Sequence, residues 1–433
     1  MDNSYFLDEM KQLLNQQDFD KFIKSFSSPL YKALRINCLK TNYKIISEEI
    51  ELKEKTLFDE DTYYIKSEDK LGKHPYHLAG LFYLQEPSAT MVVNALDIKE
   101  GDWVLDLCAA PGGKSTQILS QLNRTGFLIS NEYERKRANI LLSNIERFGS
   151  DNYLITNNSV EDLCPQLLSV FDKVLVDAPC SGAGMFKKYP NSMAEYNYNA
   201  VMANQKRQLD ILDYGYVTLK ENGILVYSTC TFNKYENEEV VRLFLEKYPD
   251  MKLIETNLTC GQSGFDRQGL TRRVFPYQGG EGHFVSKFIK TSSTEKVQLK
   301  ALPFSKNRVV DKFIEDNLKE KLNYTIINNK VYVSKENLLS LKAKILRSGI
   351  LLGEIVKNRI EPAHHLFISN FQFKRVYNTT DSKIINQYLS GLSIMEKGYK
   401  GYVQICYKGV PVGFGKGDGN QIKNKFPKGL RVV

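Results

Sequence analysis

Residues 104–122, VLDLCAAPGGKSTQILSQL, constrain this chain more than any other stretch. Val104, Leu105 and Leu107 form the apolar run of a buried strand. Cys108 to Gly113 make a small-residue turn. Lys114 then opens a run with Ile118, Leu119 and Leu122 at helical spacing. A strand, a glycine turn and a helix present backbone N–H groups at a helix N-terminus, where a nucleotide-like ligand can approach the main chain. The P-loop needs a Gly at the position held by Cys108, and the G-x-G-x-x-G pattern is absent. A triphosphate or NAD is therefore disfavoured, and an adenosine-type ligand fits. Glu132 lies 20 residues past Gly112, after the apolar run Phe127-Leu128-Ile129. An acid at that spacing reads ribose hydroxyls.

Residues 97 to about 290 alternate strand and helix patterns. Strands are expected at 104–107, 127–130, 153–156, 173–176, 224–228 and 284–289, with helices at 135–148 and 205–219. Strands separated by helices imply an α/β fold with a mostly parallel sheet. Ligands of such sheets sit beyond the carboxyl ends of the strands. DAPCSGAGMFKK follows 173–176, bringing Asp177 and Cys180. TCTFNKYENEE follows 224–228, bringing Cys230. A single Cys is commonly a buried small hydrophobe. Two of them leaving one sheet edge beside an adenosine site point to reactive thiols. Asp177 stands where a carboxylate can receive hydrogen bonds from a polar substrate, or else caps a turn.

Residues 1–90 read as a small α+β unit. Ser88 is expected to cap a helix running to Leu96, residues 44–52 to form another helix, and Arg35 and Lys40 to be candidates for phosphate contacts. From residue 300, helices are expected at 309–318 and 335–346. Strands are expected at 324–327, 330–333 and 402–406, with Asn328-Asn329 as a hairpin turn.

Charge divides the chain. Residues 1–290 carry 34 Lys and Arg against 39 Asp and Glu, whereas residues 291–433 carry 25 against 11. A basic region beside a mildly acidic body suggests a polyanionic partner, most simply nucleic acid. The ending interleaves Lys416, Lys423, Lys425, Lys428 and Arg431 with Phe414 and Phe426, a pattern suited to following phosphates and stacking bases. The seven Cys are scattered without a C-x-x-C, so neither a disulfide framework nor a structural zinc site is expected. His364-His365 lacks a third ligand. No apolar run approaches the roughly 20 residues of a membrane span, and the first residues lack signal-peptide character, so a cytoplasmic protein without a membrane partner is expected.

With these residues in view, the chain resembles the RsmF/Nop/Sun family of RNA cytosine-5 methyltransferases, and more its bacterial ribosomal-RNA branch than its tRNA branch. The resemblance rests on DLCAAPGGKSTQI, NEYERKRANIL, FDKVLVDAPCSGAGMFKK and GILVYSTCTFNKYENEEVV. FYLQEPSATM, GHFVSKF and the final GFGKGDGNQIKNKFPKGLR extend it. It implies a Rossmann-like methyltransferase domain at 91–290, an RNA-contacting unit at 1–90 and a basic, PUA-like region at 300–433.

By the same resemblance Cys108, Ala109, Ala110, Pro111, Gly112, Gly113 and Lys114 wrap S-adenosylmethionine and Glu132 holds its ribose. Asp177 meets its methionine end and the target base. Family members often carry an acid at Ser159, near the adenine amino group; here Asn158 or Ser159 would substitute. Cys230 is implied as nucleophile and Cys180 as the residue that assists release; spacing alone assigns neither role. The implied substrate is 16S rRNA or the small ribosomal subunit. A tRNA substrate is the alternative, and a non-catalytic rRNA-binding assembly factor is the alternative of another class.

The chemistry needs such residues. Carbon 5 of cytosine is a poor nucleophile until a thiolate adds to carbon 6. A Cys thiol of pKa roughly 8.5 must be activated to do so. A carboxyl such as Asp177 would help at N3, where charge develops. The cytosine must be unpaired or flipped out. Adenine amino methylation favours an aromatic ring where DAPC has Cys180, and zinc deamination needs motifs that are absent.

Overall fold

The computed structural model describes residues 3–432. Its centre is a sheet of five parallel strands in the spatial order Tyr153–Thr156, Phe127–Asn131, Trp103–Asp106, Phe171–Asp177 and Leu219–Thr229. These strands are almost continuously apolar because two clusters of buried side chains cover the two faces of the sheet. His283–Lys290 extends it antiparallel beyond Leu219–Thr229, and Met251–Ile254 pairs with His283–Lys290 in turn. Chain order reverses between Trp103–Asp106 and Phe171–Asp177. This switch point opens a crevice at the carboxyl ends of the strands. All six expected strands are present, within a residue at their ends or extended. The helix Arg135–Phe148 has its expected bounds, whereas the next long helix starts early, at Tyr198, because Asn197 accepts from Ala200 N and caps it there.

Three local expectations fail. Residues 335–346 do not form a helix. Leu338–Ser340 pairs with Lys300–Leu302, and Ile345–Ser348 pairs antiparallel with Tyr153–Thr156. An open sheet edge presents unpaired N–H and C=O groups, and satisfying them outweighs local helical periodicity. Arg347 fastens this strand to Glu146 at 2.6 Å. Ser88 is not a cap either. Glu86 accepts from Ser88 N at 2.9 Å and Ala89 N at 2.8 Å, ahead of the 3-10 turn Pro87–Thr90 and the short helix Met91–Ala95. Within 44–52 only Tyr43–Ser47 is helical.

The N-terminal unit is a three-stranded antiparallel sheet, ordered Thr62–Tyr64, Ala33–Ile36, Phe82–Gln85, with two short helices before it. Arg35 and Lys40 do not face RNA. Arg35 is 2% exposed and donates to Gly113 O at 2.9 Å and Thr116 Oγ1 at 2.7 Å, bracing the first turn of the crevice helix. Lys40 Nζ donates to Ala79 O, Arg147 O and Ile368 O at 2.7–2.9 Å, tying the N-terminal unit, the central domain and the C-terminal region together. A buried cation needs such acceptors.

The C-terminal region contains two four-stranded sheets. Tyr324–Ile327 and Lys330–Val333 form the expected hairpin, with Asn328 and Asn329 in the left-handed region. The basic ending is ordered as Val410–Asp418 and Ile422–Asn424. Phe414 and Phe426 are core residues, not base-stacking platforms. Phe414 stacks on Phe367 at 4.2 Å between ring centroids, and Phe426 packs edge-on against His364. Among the described residues no helix is long and apolar enough to cross a membrane.

Candidate active site

The crevice is built from strand ends. Asp106, Asp177 and Thr229 close three neighbouring strands, and Cys230 follows directly. The helix Gly113–Leu122 rises from the turn, with Gly112 at φ 111°, a conformation only glycine adopts without strain. The strand, glycine turn and helix thus follow one another as the sequence pattern predicts.

Cys180 Sγ and Cys230 Sγ are 3.4 Å apart, both partly exposed. Their loops touch because Gly184 N donates to Cys230 O at 2.8 Å. A Cβ on Gly184 would stand 2.9 Å from that oxygen, so the contact requires glycine. The hydrogen bond to Cys230, then burial, push the Cys180 thiol well above its ordinary range. Cys108 is also held protonated, by burial and by the Asp106, Glu132 and Asp177 carboxylates.

Asp177 accepts from Lys114 Nζ at 2.7 Å and from Ser228 Oγ at 2.6 Å. Burial alone would raise its pKa. The Lys114 and His283 charges and the two hydrogen bonds outweigh it and hold the carboxyl below the usual range. Asp177 is thus an ionised acceptor, and Lys114 is the proton donor of the pair. Lys114 itself is held charged: burial disfavours the ammonium, and Asp177 more than offsets that.

Glu132 is buried, and its Oε1 accepts from Glu134 N at 2.9 Å. Oε2 has Arg137 at 3.3 Å but no hydrogen bond. A buried carboxylate oxygen without a donor is what a ribose hydroxyl would satisfy. Together with the glycine turn, it makes this crevice fit an adenosine cofactor. Ser159 is engaged otherwise. Its hydroxyl caps the helix Val160–Leu163 by accepting from Asp162 N at 3.2 Å. The Asn158 amide is likewise taken up by the Lys344 main chain.

The roles of several residues escaped the sequence reading because their partners are distant in the chain. Glu86, Ser88 and His283 form a knot, with His283 Nδ1 3.2 Å from Ser88 Oγ, although the motifs FYLQEPSATM and GHFVSKF contain them. Asp106 is buried beside Ser115, and burial raises its pKa to about 7. Glu236 lies fully buried between the two cysteine loops. Away from the crevice, a cavity of about 540 Å³ in the C-terminal region is rimmed by Arg308, Lys312, Arg359, Arg375 and Lys416 around Tyr402.

The strand order, the glycine turn at the switch point and the acid after the next strand define a Rossmann-like methyltransferase. Residues 93–289 match the model for 16S rRNA methyltransferase RsmB/F. Residues 3–87 match the N-terminal domain of 16S rRNA methyltransferase RsmF. Residues 306–369 match the RsmF first C-terminal domain and 378–432 the methyltransferase RsmF PUA domain. Ribosomal RNA small subunit methyltransferase F of Vibrio vulnificus is 31% identical over 456 residues, covering 98% of this chain and 96% of that protein. The same-named protein of Shewanella sp. is 29% identical, covering 99% and 97%. The chain belongs to the RsmB/F family of 16S rRNA methyltransferases. Among solved structures, a methyltransferase homolog protein from Pyrococcus horikoshii is similar with TM-score 0.58 and 26% identity, over 66% of this chain and 94% of that one. NSun6 from Pyrococcus horikoshii shares the fold with TM-score 0.60 and 21% identity, over 67% and 98%.

Proposed function

We propose that this protein transfers a methyl group from S-adenosylmethionine to carbon 5 of an unpaired cytosine in 16S rRNA, through a covalent bond between Cys230 and carbon 6. The observation that carries this reading is the pair of thiols 3.4 Å apart at adjacent strand ends, beside the glycine turn. Cys230 Sγ, as thiolate, adds to carbon 6, and the displaced electron pair leaves carbon 5 nucleophilic. Bound at this turn, S-adenosylmethionine would supply an electrophilic methyl group for carbon 5 and be left as a neutral thioether. Cys180 then gives its proton to the departing Cys230 sulfur and takes the carbon 5 proton in its place, restoring the double bond. Asp177, ionised, accepts from the cytosine amino group, and Lys114 donates to the edge of the base where negative charge develops.

Cys108 to Lys114 and Glu132 hold the cofactor, with the adenine contact near Ser159 left to the main chain. Residues 91–290 carry this chemistry, residues 1–90 abut the crevice, and residues 300–433 grip RNA, with the rim of Arg308, Lys312 and Lys416 following phosphates. A ribosomal substrate makes the protein cytoplasmic. Methyl transfer to 16S rRNA or small subunits lacking the modification, followed by bisulfite sequencing, tests the reading. Protected cytosines support it; methylation on nitrogen or ribose would overturn it.

A further inference from the structure

Between the cysteine loops lies a carboxylate that the mechanism above does not use. Glu236 is fully buried and has no cation within ion-pairing distance among the described residues. Its Oε2 accepts from Ser181 N at 2.9 Å and Gln208 Nε2 at 2.9 Å. Its Oε1 accepts from Asn233 Nδ2 at 2.7 Å and from Ser181 Oγ. Ser181 follows Cys180, and its hydroxyl also meets Thr231 Oγ1, next to Cys230, at 2.8 Å. Gln208 Nε2 spans to Pro179 O at 2.9 Å on the other side of Cys180. One carboxylate thus gathers the segments flanking both thiols.

Burying an unpaired carboxylate is costly, and a neutral amide could not accept from four donors at once. Burial raises the Glu236 pKa, and the hydrogen bonds from Ser181, Asn233 and Gln208 act against it by favouring the ionised form. We infer that Glu236 is a positioning residue: its carboxylate, accepting from Ser181, Gln208 and Asn233, clamps the Cys180 loop to the Cys230 loop and sets a negative charge beside the Cys180 segment. This rests on the covalent reading of the cysteine pair. The surrounding charged and titratable groups do not replace it. Glu9 is bonded to Tyr196, Tyr227 donates to the Glu236 carbonyl at 2.5 Å, and Glu238 is paired with Arg273. The Glu236 charge is among the causes that raise the Cys180 thiol, after the Cys230 hydrogen bond, burial and the Cys230 charge.

Two variants of the full chain separate charge from reach. Alkylation of each cysteine by iodoacetamide is followed against pH by peptide mass spectrometry, without RNA. In Glu236→Gln the Cys180 profile moves to lower pH, with about tenfold faster modification at pH 7, whereas Glu236→Asp keeps the wild-type profile. Disulfide formation between Cys180 and Cys230 under diamide reads the clamp, and in Glu236→Asp it slows about tenfold. A folded Glu236→Gln with an unmoved Cys180 profile would overturn the electrostatic role. Should that variant not fold, Glu236→Asp with unchanged disulfide kinetics would overturn the clamp. Neither readout needs methyl transfer, so failure of the proposed reaction and failure of this inference are distinguishable.

Discussion

Lys114 Nζ reaches across the crevice to Asp177 Oδ2 at 2.7 Å, joining the first turn of the helix Gly113–Leu122 to the end of the next strand in the sheet. The sequence resemblance assigned Lys114 to the cofactor and gave Asp177 the task of supporting N3. Asp177 is held below the usual carboxylate range and Lys114 is held charged, so in the proposed reaction Lys114 would be the positive group facing developing charge.

Lys114→Met leaves Asp177 without its cation. Stability at pH 7 is expected to fall by about 1.5–3 kcal/mol, the scale of a hydrogen bond to a charged group. Because the Asp177 pKa is depressed in the folded state, its contribution is present above the unfolded value near 4 and lost as pH falls through the folded one. The gap between variant and wild type should therefore close in acid. Thermal melts at pH 7 and pH 3 check it, and a gap independent of pH would remove the ion pair from the ledger.

Cys230→Ala should abolish turnover and form no covalent RNA complex. Cys180→Ala should also lose turnover, yet retain RNA bonded to Cys230 as a band that survives denaturing electrophoresis. The adduct appearing only in Cys230→Ala would exchange the two roles.

Glu132→Ala should weaken S-adenosylmethionine binding by roughly 1–3 kcal/mol, because a buried carboxylate oxygen then no longer receives the ribose. Calorimetry reads this directly. Unchanged affinity would take Glu132 out of the cofactor site.

Asp106 titrates near pH 7 in the fold against roughly 4 when exposed. The folded chain holds a proton that the unfolded chain releases, so this residue makes stability fall as pH rises from 4 to 7. Asp106→Asn removes that slope. Its Tm should match wild type at pH 4 and exceed it at pH 8, each kcal/mol counting for roughly 1 °C in a chain of 433 residues. A Tm difference that does not vary with pH would contradict the buried, protonated carboxyl.

Deleting residues 301–433 is not a clean test of RNA binding. The Ile345–Ser348 strand closes the main sheet, and Ile368 O holds Lys40. Charge reversal at the rim is better: Arg308→Glu, Lys312→Glu and Lys416→Glu should each weaken RNA binding and lower the salt slope by about 1, with cofactor affinity unchanged. An unaltered slope in the triple variant would place the RNA elsewhere.

Sequence by itself determined the central sheet, the glycine turn, and the two cysteines and Asp177 at strand ends. Periodicity and turn chemistry are local, and a parallel sheet forces its strand ends onto one edge. It also determined the hairpin at Asn328-Asn329, since left-handed turns favour those residues. Tertiary structure alone decided the rest. In place of a helix over 335–346, residues 338–340 and 345–348 became strands because distant strand edges took them as partners. Arg35, Phe414 and Phe426 looked like RNA contacts in sequence and are interior, and half-buried Lys40 is taken up by carbonyls, because groups from remote segments surround them. The charge of Asp177, the raised pKa of Cys180 and the anchoring by Glu236 depend on Lys114, Cys230 and Ser181, all far away in the chain. Burial and through-space charge set these properties, and no local pattern encodes them.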